Sequence, residues 1–172
     1  MTLRKTGEMI PNFEVKLLNG GAWNSRYKPQ GQFTLLTVYR GMWCPNCKQQ
    51  LCELDQLNDE FLSRGVDILA ASADTQDRAQ STVSELGLKR LRVGYEMPID
   101  SARELGLFIS HRIKEEEMPL FCEPGTFLVD DKSRIFAAWI ASNAFARTSP
   151  GGVLSYIDFI AQKRHRPPRG SA

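Results

Sequence analysis

At 172 residues, 42% of them hydrophobic and 24% charged, the chain has the size and composition of one globular domain, which excludes disordered, fibrous and low-complexity classes. The formal net charge of +2 selects no partner by itself. No run approaches the roughly 18 consecutive apolar residues that a bilayer span needs, so no membrane partner is expected.

The opening stretch, Met1 to Glu8, is polar and lacks the apolar centre of a secretory signal, which predicts a cytoplasmic, reducing location. Phe13 to Leu18 and Ala22 to Asn24, around Gly20-Gly21, read as a short N-terminal hairpin. After a loop punctuated by Pro and Gly, Phe33 to Tyr39 is a continuous apolar run with β-branched and aromatic residues, the pattern of a strand buried on both faces. Between Asn46 and Ser63, Leu51, Leu54, Leu57, Phe61 and Leu62 recur at three and four residues and predict one amphipathic helix ending near Gly65.

Val66 to Ser72 reads as a second buried strand and Asp77 to Leu86 as a second helix closed by Gly87. A short strand around Met97 to Asp100 then leads into a short helix from Ser101 to Leu105. Thr126 to Val129 and Arg134 to Ile140 form an antiparallel hairpin around Asp130 to Ser133, and Ser149-Pro150 introduces a last helix from Gly152 to Lys163. The order implies an α/β fold with a central mixed β-sheet flanked by helices on both faces. One domain over 1–164 is expected, followed by a short basic tail over 165–172. At the end of the chain, Lys163, Arg164, Arg166 and Arg169 read as a fraying basic end rather than a site for an acidic partner or nucleic acid. In the segment Phe108 to Phe121, the Glu115-Glu116-Glu117 run reads as a solvated face, with a partner surface as the alternative.

Four cysteines are too few and too unevenly placed for a disulfide scaffold, and Cys44, Cys47 and Cys52 lie within nine residues. Such clustering in a reducing compartment points to redox chemistry or metal. Trp43-Cys44-Pro45-Asn46-Cys47 opens a helix directly after a buried strand. There, backbone N–H groups and the positive end of the helix dipole lower a thiol's pKa and supply the attacking thiolate. Two sulfurs three residues apart at a helix N-terminus can also close a disulfide without dismantling the helix. The metal alternative needs four ligands, and only Cys52, Cys122, His111 and His165 remain to complete a zinc site. Redox chemistry with no cofactor and no metal is therefore the preferred reading, ahead of zinc and of unreactive packing cysteines.

Cys52 lies about 140° around the helix from Cys47, which favours a packing role beside Leu51. Cys122 precedes Pro124, where a cis turn is expected to bring neighbours against another loop and to offer Cys122 as an extra resolving thiol. Arg40 and Arg112 are candidates to stabilise a thiolate, Arg40 being the better placed at the end of its strand.

Gly7-x-x-x-Pro11-x-Phe13, Val38 to Cys47, Ser72-Ala73-Asp74 and Pro124-Gly125-Thr126-Phe127-Leu128-Val129-Asp130 together resemble the peroxiredoxin-like proteins of the alkyl hydroperoxide reductase and thiol-specific antioxidant (AhpC/TSA) family, over about residues 5 to 162. The resemblance implies a thioredoxin-like fold and a thiol-based antioxidant enzyme. In that pattern Cys47 takes the attacking position, Cys44 replaces a threonine, Arg40 replaces a proline, Gln50 falls where Glu or Gln stands, and the family's arginine falls on Pro124. Cys44 and Pro124 instead resemble thioredoxin-type oxidoreductases, in which the first cysteine attacks, the second resolves and a cis-proline faces them. One peroxiredoxin subgroup also places a resolving cysteine five residues after the attacking one, the spacing of Cys52 from Cys47. Dithiol–disulfide exchange through Cys44 and Cys47 and peroxide reduction by Cys47, resolved by Cys44 or Cys52, are thus the two enzymatic expectations. The resemblance implies a thioredoxin- or glutathione-type reductant and a peroxide or protein disulfide substrate.

Overall fold

A computed structural model describes residues 4–27, 31–163 and 166–172. Arg164 and His165, part of the basic tail and of the zinc alternative, lie outside the described residues, as does the start of the polar N-terminal stretch. The chain runs through β1 (Glu14–Leu17), β2 (Ala22–Asn24), β3 (Phe33–Val38), α1 (Pro45–Gln56), α2 (Asn58–Ser63), β4 (Val66–Ala71) and α3 (Gln76–Leu86). It continues through β5 (Arg92–Tyr95), α4 (Ile99–Glu104), β6 (Ile109–His111), β7 (Leu120–Cys122), β8 (Gly125–Asp130), β9 (Ile135–Ile140) and α5 (Pro150–Ala161).

Seven strands form one mixed sheet in the order β2-β1-β5-β4-β3-β8-β9. β3, β4 and β5 are mutually parallel, and the flanking pairs are antiparallel. Period-2 alternation in the central strands divides the interior. Leu35, Ile68, Ala70 and Leu128 enter one core, and Leu36, Leu69, Ala71 and Phe127 the other. The first core is covered by Leu51 and Leu54 of α1, Phe61 of α2, Ala79 of α3 and Val153, Ile157 and Ile160 of α5. The second is covered by Ala102 of α4 with Leu105 and Leu107. Helices therefore lie on both faces, as the element order implied. Leu51 and Leu54 are each 1% exposed, and burying a leucine this fully contributes about 2 kcal/mol.

Local chemistry sets the element ends. Ser149 caps α5 by accepting from the Gly152 N–H at 3.1 Å, with Pro150 at the first helical position. Gly87 closes α3 at φ 62°, a left-handed conformation that glycine adopts without steric cost.

The structure departs from the sequence expectations at several places. The helix read from Asn46 to Ser63 is bent at Leu57 into α1 and α2, and the bend turns Phe61 fully into the core beside β4. The short strand lies at Arg92–Tyr95 rather than around Met97 to Asp100, because α4 already begins at Ile99. The segment Phe108 to Phe121 forms a two-stranded ribbon, β6 pairing with β7, Ile109 opposite Cys122. Glu115 and Glu116 are exposed, whereas Glu117 is buried and closes the ribbon's loop by accepting from the Ile113 and Lys114 N–H groups. No described peptide bond is cis, so Pro124 is trans. β7 passes into β8 as extended chain, Glu123 N–H bonding Phe108 O and Pro124 O accepting from Ala141 N–H, and no tight turn is present to require the cis form. In the tail, Thr6 Oγ1 donates to Arg169 O at 2.6 Å.

Among the described residues, no helix is long and apolar enough to cross a membrane.

Candidate functional site

β3 ends at Val38, and the loop Tyr39 to Trp43 delivers the chain to the N-terminus of α1 at the carboxyl end of the parallel strands, where open α/β sheets place their sites. The loop is pinned from the side. Met42 N–H donates to Asp74 Oδ2 at 2.9 Å, and Arg78 Nε donates to Asp74 Oδ1 at 3.0 Å. Burial pushes the Asp74 carboxyl above its usual range, and the Arg78 hydrogen bond opposes that push. Arg78 also lies over the Trp43 ring, 5.2 Å from its centre, and Trp43 and Phe121 pack edge-to-face with ring centres 5.1 Å apart. Trp43 is thus the wall beside the cysteines.

Cys44 is the N-cap of α1, with Pro45 at the first helical position, and its Sγ accepts from the Cys47 N–H at 3.3 Å. Cys47, in the first turn, accepts from the Arg40 N–H at 3.4 Å. A cation from a distant loop completes the cluster. Arg147 Nη1 and Nη2 lie 3.3 and 3.4 Å from Cys47 Sγ, and Nη2 lies 3.8 Å from Cys44 Sγ. The guanidinium is itself held by Ala144 O, at 3.1 Å from Nε and 2.7 Å from Nη2, and by Gln50 Oε1 at 3.0 Å from Nη1. Gln50 in turn donates to Thr148 O at 3.2 Å. Ala146, next to Arg147, has φ 50°, a left-handed conformation costly for a non-glycine residue and characteristic of functional loops.

Two opposed effects act on the sulfurs. Cys44 is drawn down to about 5 by a hydrogen bond from the Cys47 thiol, which outweighs its burial with help from the Cys47 N–H and Arg147. Cys47 is pushed up, first by burial and then by the neighbouring Cys44 sulfur, with Arg147 opposing. The physical content is a dithiol that gives up its first proton easily and its second with difficulty, so one negative charge is shared at neutral pH. Cys44 is 1% exposed and Cys47 fully buried. Cavities of about 310 and 240 Å³ lie on either side of Arg147 and Gln50, the first walled by Pro124, Thr126 and Trp139, the second by Asn46 and Phe145.

The structure brings Cys44, Cys47, Pro45, Gln50 and Trp43 into one site, with Pro124 in the wall of the larger cavity. It turns the Arg40 side chain away toward Glu123, so only the backbone of Arg40 meets a sulfur. Arg112 is exposed on the β6–β7 loop. Cys52 is half-buried on α1 and Cys122 fully buried in the core opposite the one holding Cys44 and Cys47. Burial and the nearby Glu123 push the Cys122 thiol up to about 12. No group of three or more His, Cys, Asp or Glu among the described residues is placed to hold a metal ion. Arg147 was missed by sequence reasoning: its only local signal is a cation just ahead of the Thr148-Ser149-Pro150 helix start.

The sequence model of the AhpC/TSA family matches residues 6–138. The chain is 26% identical over 136 residues to the thiol-disulfide oxidoreductase ResA of Halalkalibacterium halodurans, covering 78% of this chain and 68% of that protein. It is 32% identical over 85 residues to the protein of the same name from Bacillus thuringiensis, covering 48% of this chain and 47%, about half, of that one. In fold it resembles Mycobacterium bovis AhpC, with a TM-score of 0.77 at 16% identity over 96% of this chain and 97% of that one. A mutant of peroxiredoxin 6 from Arenicola marina superposes with a TM-score of 0.76 at 20% identity, over 94% and 75%.

Proposed function

The chain belongs to the AhpC/TSA family, and from that premise we propose that this thiol-dependent oxidoreductase performs dithiol–disulfide exchange through Cys44 and Cys47. The observation that carries the reading is the pair of sulfurs at the α1 N-terminus, each accepting from its own backbone N–H and both reached by one guanidinium. Cys44 is the attacking thiolate. It forms a bond to one sulfur of the substrate disulfide and expels the other as a thiolate. Cys47, giving its proton to solvent, then attacks Cys44 Sγ and expels the second substrate sulfur. The substrate disulfide is reduced by two electrons, and the protein is left with a Cys44–Cys47 disulfide.

A dithiol reductant of the thioredoxin type, or a glutathione-type thiol, resets the pair by the reverse exchange. Because Cys44 is 1% exposed, a substrate sulfur reaches it when Arg147 swings into one of the flanking cavities. We assign the reaction to the cytoplasm, a reducing setting supported by four cysteines too few and too uneven for a scaffold.

One observation favours a second reading, peroxide reduction by Cys47: both Arg147 Nη atoms lie on its sulfur. In that reaction the Cys47 thiolate takes one peroxide oxygen as the sulfenic acid, the O–O bond breaks, and the other oxygen departs as hydroxide or alkoxide and is protonated to water or alcohol. The Cys44 thiol then displaces water from the sulfenic acid and closes the same disulfide.

The test is to add one equivalent of a small-molecule disulfide, or of hydrogen peroxide, to the reduced protein and to map the products by mass spectrometry. A Cys44–Cys47 link from the disulfide is expected, with the mixed disulfide trapped on Cys44 in the Cys47→Ser variant. Absence of that link overturns the reading. Rapid sulfenic acid formation on Cys47 in the Cys44→Ser variant selects the peroxidase.

A further inference from the structure

Arg40 lies just past the last strand-type bond of β3, Tyr39 N–H to Ala71 O, so sheet pairing does not fix its own N–H, which points at Cys47 Sγ. Its side chain instead enters the β6–β7 ribbon. Nε lies 3.2 Å from Glu123 Oε2, an ion pair rather than an aligned hydrogen bond, and Nη2 lies 3.9 Å from Glu117 Oε1. The guanidinium also covers the Phe121 ring, 4.9 Å from its centre. The side chains of Arg40, Glu117 and Glu123 are 20%, 4% and 5% exposed, so water screens these contacts poorly.

Both carboxylates are oriented by further partners. Ser110 Oγ donates to Glu123 Oε1 at 2.7 Å, and the Ile113 N–H donates to Glu117 Oε2 at 2.8 Å. A buried ion cluster adds little stability over an apolar replacement, but it fixes geometry well. What this cluster fixes is the residue whose N–H meets the reactive pair.

We propose that Glu123, assisted by Glu117, is a positioning residue for Cys47: by anchoring the Arg40 side chain it keeps the Arg40 N–H aimed at the Cys47 sulfur. The inference rests on the redox reading of Cys44 and Cys47. The chemistry involved is the hydrogen bond that stabilises a thiolate, and its loss moves thiol ionisation upward. The other titratable groups facing the pair are Arg147 from its loop and Tyr39 just past β3, and neither changes in the test.

The experiment is the pH profile of alkylation of the reduced protein by iodoacetamide, in the parent and in Glu123→Gln and Glu117→Gln. The sign of the shift separates the possible roles. Loosening the Arg40 N–H raises the midpoint, by about one unit for Glu123→Gln. Removing a negative charge by field alone lowers it, and a purely structural role leaves it in place. A raised midpoint in either folded variant, abolished as an increment when Glu123→Gln is made in an Arg40→Met background, is the expected result. A lowered or unmoved midpoint overturns the proposal. Should the parent form no Cys44–Cys47 disulfide with one equivalent of a small-molecule disulfide or of hydrogen peroxide, the redox reading fails and takes this proposal with it; with the disulfide formed and the midpoint unmoved, only the positioning role fails.

Discussion

Arg147 Nη1 lies 3.3 Å from Cys47 Sγ across a hundred residues of sequence. A guanidinium placed this close to a buried sulfur favours the thiolate, because opposite charge within a few ångströms lowers an acid's pKa by about 1–3 units. Arg147→Met is expected to raise the first ionisation of the cysteine pair from about 5 by up to that amount, and the upper end of the range slows reaction with a disulfide at neutral pH by up to about tenfold. Arg147→Lys restores charge without the fork that spans Cys47, Cys44 and Gln50 Oε1, so it should recover only part of the loss. Thiolate ultraviolet absorbance against pH and the second-order rate with a chromogenic disulfide measure both effects.

Stability of the reduced protein should depend on pH through the same pair. Cys44 is lowered from 9.0 to about 5 on folding, so between these values the unfolded chain holds a proton that the folded chain has released. Stability therefore rises with pH across that window, is fully present above the unfolded value and is lost as pH falls through about 5. Cys47 is raised, so its contribution is present below the unfolded value and disappears only in alkali, leaving the acid side to Cys44. The disulfide form titrates neither thiol. The Tm of the reduced protein minus that of the oxidised protein is expected to climb from about pH 5 to about pH 8, and scanning calorimetry of the two forms across that range checks the slope. A flat difference contradicts it.

The elements legible in the sequence are those whose signal is local. The apolar runs that became β3 and β4 bury both faces, and the Ser149-Pro150 start of α5 is a capping pattern that needs nothing from the rest of the chain. β5 escaped because Arg92-Val93-Gly94-Tyr95 is short and carries a glycine. That glycine is set by packing that the local sequence does not record: a Cβ on Gly94 would stand 2.4 Å from Val15 Cγ1 of the neighbouring β1. The cysteine motif was legible for the same local reason as the cap. Arg147 was not, since only the closing of the 144–148 loop over α1 makes it part of the site. Glu117 misled because a run of three glutamates reads as solvated, while folding buries one of them against backbone donors.

Cys122 and Cys52 should be dispensable for turnover. Cys122 sits at full burial in the core opposite the one holding the redox pair, so reaching Cys44 or Cys47 would require the sheet to open. Cys122→Ser puts a hydroxyl without a partner into an apolar core and is expected to cost about 1–3 kcal/mol in denaturant unfolding while leaving the disulfide-reduction rate within about twofold. Cys52→Ser, at a half-buried position on α1, should change neither quantity appreciably. A disulfide between Cys47 and either residue, found by mass spectrometry in the oxidised parent, would revise the resolving role given to the neighbour in the motif.

Gly41 should prove as sensitive as the cysteines it precedes. Its φ is 155°, a region that side chains rarely adopt, and an added Cβ would stand 2.1 Å from Trp43 Cζ3. Trp43 packs edge-to-face with Phe121 and lies under Arg78, so its half-buried ring can yield only by giving up one of these contacts. Gly41→Ala is therefore expected to cost about 2 kcal/mol or more through backbone strain and overpacking together. Because Trp43 adjoins Cys44 directly, the displaced ring must also disturb the cap that presents the Cys44 sulfur. Trp43 emission in the folded variant should shift, and the alkylation rate of the pair should fall in parallel. A variant of unchanged stability with parental emission would show that the loop from Tyr39 to Trp43 has more room than the Asp74, Arg78 and Phe121 contacts allow.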